Sequence, residues 1–108
     1  MIDWNRVQAL RDEVGADDFA EVVDLFLEEA DEALGGLTAR LAPAALQAAL
    51  HFLKGSALNL GFAEFARLCQ IGEKTPDKAD LAAIQATYTV SKAAFAKGLA
   101  RLPLSRTG

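Results

Sequence analysis

His51 is the only histidine of the chain, and it opens the run His51-Phe52-Leu53-Lys54-Gly55-Ser56-Ala57-Leu58-Asn59-Leu60-Gly61. An imidazole offers a ring nitrogen that can act as a nucleophile near neutral pH. The run is strongly helix-forming, and at about 3.6 residues per turn Lys54 and Gly55 fall beside the ring. A cation and a missing side chain next to a nucleophile make a seat for a phosphoryl group. Lys54 would offset the charge of roughly −2 that such a group carries, and would favour the neutral, attacking form of the imidazole.

The alternative is a surface histidine with no role, and the helical wheel bears on the choice. Leu46, Leu50, Leu53, Ala57 and Leu60 cluster in one arc and must face the core. His51 then lies roughly 140° from the centre of that arc, towards water, and Gln47, Lys54, Gly55, Leu58 and Phe62 share its flank. Gly55 costs about 1 kcal/mol relative to alanine inside a helix. No bundle neighbour need approach it there, so it reads as clearance for something arriving from outside. Leu58 and Phe62 read as part of an apolar docking patch, and Gln47, on the same flank, is expected to bind the partner with them. Phe52, Ser56 and Asn59 form the other flank.

Several chemistries are excluded by composition. One histidine and one cysteine, Cys69, leave no disulfide framework and no usual zinc or haem site. A net charge of −4 argues against nucleic acid. Neither common glycine-rich nucleotide loop is present, so any phosphate must be delivered by another protein. There is no apolar run of the roughly 18 residues that span a bilayer, and Asp3 stands where an export signal would be basic. The expected location is cytoplasmic, with no membrane partner and no cofactor on this chain.

The elements that must position His51 follow from periodicity. Aromatic residues are only 7% while alanine and leucine dominate, which favours helices over a sheet. Asp3 caps a short first helix carrying Trp4, Val7, Leu10 and Val14, stopped near Gly15. A long helix opens at Asp17 or Asp18 and keeps its apolar period as far as Leu41, interrupted by Gly35-Gly36. Pro43 starts the helix of His51, and Gly61 ends it. A shorter helix covers Ala63 to Gly72, Thr75-Pro76-Asp77 breaks the chain, and a last helix carries Leu81, Ile84, Tyr88, Phe95, Leu99 and Leu102. Short connections favour antiparallel neighbours. The expected fold is all-α: an antiparallel up-down four-helix bundle with a short additional N-terminal helix, one domain over 1–103, and a loose tail over 104–108.

With these residues in place, the chain resembles the histidine phosphotransfer (HPt) domain of multistep bacterial phosphorelays. The family pattern, His-x-Leu-Lys-Gly-Ser/Ala-Ser/Ala, then two variable residues, an aliphatic residue and Gly, is met by His51, Leu53, Lys54, Gly55, Ser56, Ala57, Leu60 and Gly61. The resemblance implies a phosphoryl carrier rather than an enzyme with its own turnover. His51 would accept the group at Nε2 from a receiver-domain aspartyl phosphate and pass it to another receiver's aspartate. It implies response-regulator receivers and a hybrid histidine kinase as partners, with Mg2+ on the receiver only, and the chain is expected to act as a monomer. Where the family sometimes places a glutamine near the histidine, this chain has Glu73. A carboxylate there would repel phosphate, so no supporting role is assigned to it.

Two rivals belong to other classes. A non-carrying bundle that docks and regulates a receiver or kinase would have no need of His51, Lys54 and Gly55 together. A hydrolase using His51 as general base would need a second titratable group to orient the ring, and the sequence places none there.

Overall fold

The computed structural model describes residues 2–38 and 40–101. Five α-helices follow one another: α1 (Trp4–Val14), α2 (Ala16–Gly35), α3 (Pro43–Leu60), α4 (Ala63–Lys74) and α5 (Leu81–Arg101), with a 3-10 turn over Pro76–Lys78 before α5. Local chemistry sets most boundaries. The Asp3 carboxylate accepts from the Arg6 amide at the start of α1, Asp80 does the same for Ala83 at the start of α5, and Pro43 is the first residue of α3.

Cross-chain contacts give the topology. Tyr88 and Lys92 of α5 meet Asp31 of α2, while Gln85 reaches the Leu37 carbonyl, so α2 and α5 run antiparallel. Gln47 of α3 bonds the Glu73 carbonyl of α4 across the tight turn at Gly61, making a second antiparallel pair. The α1 helix packs on α2 and α3, and its Trp4 ring stacks on Phe95 of α5 with centroids 5.9 Å apart. The all-α bundle with a short extra first helix is therefore as expected. No helix among the described residues is long and apolar enough to cross a membrane.

Three expectations are corrected or left aside. The second helix does not run on to Leu41 but ends at Gly35, with Gly36 as its cap, since two adjacent glycines forfeit too much backbone entropy to continue it. It opens at Ala16 behind Gly15 rather than on an aspartate cap. The tail expected over 104–108, and Leu102, lie outside the described residues.

The core holds the predicted face of α3, with Leu46, Leu50, Leu53, Ala57 and Leu60 all buried. Gly61 takes φ 77° and ψ 21°, and a Cβ there would sit 2.6 Å from the Asp3 carbonyl oxygen. Only glycine fits both demands.

Candidate functional site

His51 lies in the third turn of α3, opposite the buried leucines, and its side chain is 69% exposed. Its Nδ1 stands 2.6 Å from Oε2 of Glu73, near the end of α4. The other oxygen of that carboxylate, Oε1, is 2.8 Å from Lys54 Nζ. One carboxylate thus joins the imidazole and the lysine expected to serve it. The backbone beneath is held too, because the Gln47 side-chain amide donates to the Glu73 carbonyl at 2.8 Å.

The electrostatics follow from this geometry. The Lys54 ammonium bonded to Glu73 holds its carboxyl below the usual range of about 4.5, outweighing the upward pull of burial, and His51 adds to the same effect. An ionised carboxylate only accepts hydrogen bonds, so Nδ1 carries the proton. In the neutral ring it is therefore Nε2, on the edge away from Glu73, that keeps the lone pair.

Gly55 lies one turn beyond His51, and a Cβ built there would meet nothing within 4 Å. No packing among the described residues demands the glycine. Leu58, a further turn along, is 55% exposed, as the wheel predicts. Lys54 is partly covered, with its stem along the bundle.

Phe62 is placed otherwise. It is fully buried, packed against Phe95 at 5.3 Å and Tyr88 at 6.1 Å between centroids. The expectation that it joins the docking patch is wrong, because the helical wheel does not extend past Gly61. The left-handed residue redirects the chain, the Phe62 amide bonds back to the Ala57 carbonyl at 2.8 Å, and the side chain beyond such a cap turns inwards. Gln47 is also engaged within the fold, through Glu73.

Glu73 is the residue that sequence reasoning set aside, and the structure corrects it. Repulsion of phosphate does not govern its placement, because the carboxylate faces Nδ1 rather than Nε2 and is itself paired with Lys54. The expectation that no titratable group orients the ring falls with it. A signal was present: Phe62 marks the turn between two antiparallel helices, and His51 and Glu73 stand eleven residues to either side of it. Equal spacing from a tight turn brings the two to the same level. Phe52, the next residue after His51, is an exposed apolar residue of α3, and Leu25 is one of α2.

A family model described as Hpt domain matches residues 21–102, a span that includes His51, Lys54, Gly55 and Glu73. No curated protein and no solved structure matches the chain.

Proposed function

The chain belongs to the Hpt domain family, and from that premise we propose that His51 is the phosphoacceptor of a carrier working between receiver domains. The Nε2 lone pair attacks the phosphorus of a receiver's aspartyl phosphate. The N–P bond forms as the acyl O–P bond breaks, and the aspartate leaves as its carboxylate. Nδ1 keeps its proton throughout, so the product ring is a cation beside the Glu73 carboxylate. In the second transfer another receiver's aspartate attacks the phosphorus, and the imidazole leaves neutral.

The remaining residues serve those two steps. Glu73 fixes the ring and its tautomer and balances the charge of the phosphorylated imidazole. Lys54 neutralises the phosphoryl oxygens. Gly55 gives the phosphoryl group and the receiver loops room, and Leu58 adds apolar contact. Mg2+ is assigned to the receiver, the location to the cytoplasm and the acting form to a monomer. Family membership, rather than isolation of the ring, is what favours a carrier over a hydrolase.

The observation that carries the proposal is the 2.6 Å contact of Nδ1 with Glu73 on a ring whose other edge faces solvent. The test is to incubate the protein with phosphorylated receiver domains and look for acid-labile, base-stable phosphate. His51→Gln should abolish the label and leave the thermal midpoint unchanged. Label retained by that variant would assign the acceptor to another residue.

A further inference from the structure

Ten carboxylates lie between Asp12 and Glu32, and no lysine or arginine interrupts the sequence from Arg11 to Arg40. Part of this acidity serves the fold, since Glu13 and Asp12 pair with Arg6 and Arg11 and Asp17 and Asp18 stand in the first turn of α2, but its C-terminal end does not. Glu28, Glu29, Asp31 and Glu32 occupy the last two turns of α2, where the helix dipole favours cations, and no basic residue stands in its last turn. Asp31 is paired with Lys92, but neither Glu29 nor Glu32 forms an ion pair among the described residues.

Glu29 and Glu32 do meet something else. With Ala33 they line a cleft of about 250 Å³ whose opposite wall is Phe52 of α3. Phe52 is 45% exposed, and it is the residue next to His51. Leu25, 56% exposed, lies one and two turns back along the same stripe of α2 as Glu29 and Glu32. Leu58 is similarly exposed on the His51 stripe of α3. The cleft therefore adjoins the histidine's own surface, with an aromatic face on one side and two unpaired carboxylates on the other.

Resting on the carrier reading, we propose that this cleft receives an arginine from the docking receiver, and that the cleft helps to decide which receivers are served. A guanidinium can stack on the Phe52 ring while its planar fork bonds the two carboxylates, which a lysine does less well. The small side chain of Ala33 leaves the depth. The one-signed charge along α2 steers basic receiver faces towards the site and disfavours acidic ones.

The test uses the full chain and a panel of purified receiver domains, with binding of the unphosphorylated receivers and transfer from the phosphorylated ones measured separately. Glu29→Gln with Glu32→Gln, and Phe52→Leu alone, should weaken binding of the best receiver by roughly tenfold at low salt. Transfer at saturating receiver should be unchanged. The double variant should also lose most of the salt dependence of binding. It keeps the fold, since it removes charges that oppose the helix dipole. Alanine replacement of each exposed arginine of that receiver should find one whose loss adds nothing further to the double variant. Unaltered binding, no such arginine, or no receiver in the panel that binds the wild-type chain would overturn the proposal. Normal binding without phosphate uptake would instead count against the carrier reading and leave the cleft assignment standing.

Discussion

Lys54 Nζ lies 2.8 Å from Glu73 Oε1, so the cation nearest His51 is already neutralised before any phosphoryl group arrives. In the proposed carrier role, Lys54 would reach phosphate only by leaving Glu73. Lys54→Ala should therefore slow transfer or shorten the phosphohistidine lifetime, while changing receiver binding in the unphosphorylated state much less. The loss should be partial, because the receiver contributes its own charged groups. Measuring both on one variant separates the effects, and lost binding with normal transfer at saturating receiver would make Lys54 a docking residue.

Glu73→Ala should reduce the transfer rate roughly ten- to a hundredfold, as loss of a partner that fixes a histidine's ring commonly does. Glu73→Gln keeps an oxygen that can accept from Nδ1 and should retain more of the rate. Single-turnover transfer at saturating receiver is the measurement, and equal rates for the wild-type chain and the Glu73→Ala variant would remove the orienting role.

The same carboxylate gives a pH signature. Its folded pKa is depressed below about 4.5, so the stability it contributes is complete above that value. It is lost as pH falls through the lower, folded value. Glu73→Gln should flatten this part of the acid limb of a stability profile read by chemical denaturation. An acid limb identical to that of the wild-type chain would contradict the assignment.

What was legible in the sequence was what repeats along a helix. The buried leucines of α3 and the outward His51, Gly55 and Leu58 follow from a period of 3.6 and needed no tertiary knowledge. Phe62 failed because one left-handed glycine ends that period, and the wheel carries no record of it. Glu73 failed for a different reason: its place beside His51 depends on the register of two helices around a turn, and its charge was judged without the partners that register brings. Phe52 was legible as a flank, but its acidic neighbours come from another helix.

Phe62 and Leu58 are now separable by stability. Phe62→Ala should destabilise the fold by about 3–5 kcal/mol, since it empties a site walled by Phe95 and Tyr88. Leu58→Ala should stay within about 0.5 kcal/mol and weaken receiver binding instead. Denaturant melts and a binding titration on the two variants check this, and the reverse ranking in stability would contradict the burial assigned to Phe62.

Cys69 should be inert. It is fully buried on α4, and burial, with the nearby Glu73 carboxylate, pushes its thiol up to about 12. A thiol reagent at pH 8 should label it only in denaturant, and rapid labelling of the native protein would show that α4 opens far more readily than its packing implies.

The glycines of this chain give the sharpest contrast, because two that lie within helices stand in opposite surroundings. At Gly55 an added Cβ meets nothing within 4 Å, so Gly55→Ala should stabilise the helix by up to about 1 kcal/mol. At Gly98 a Cβ would clash with Cζ2 of Trp4, so Gly98→Ala must displace the indole from its stack on Phe95. That variant should lower the thermal midpoint and shift the emission of the chain's only tryptophan, while phosphate uptake by His51 persists. Gly55→Gln should do the opposite, folding normally but blocking transfer because its side chain fills the space left for the phosphoryl group and the receiver. Thermal melts, tryptophan fluorescence and single-turnover transfer on the three variants read each effect separately. A Gly55→Gln protein that folds and transfers at the wild-type rate would mean that nothing arrives at that face of α3 closely enough to need the room.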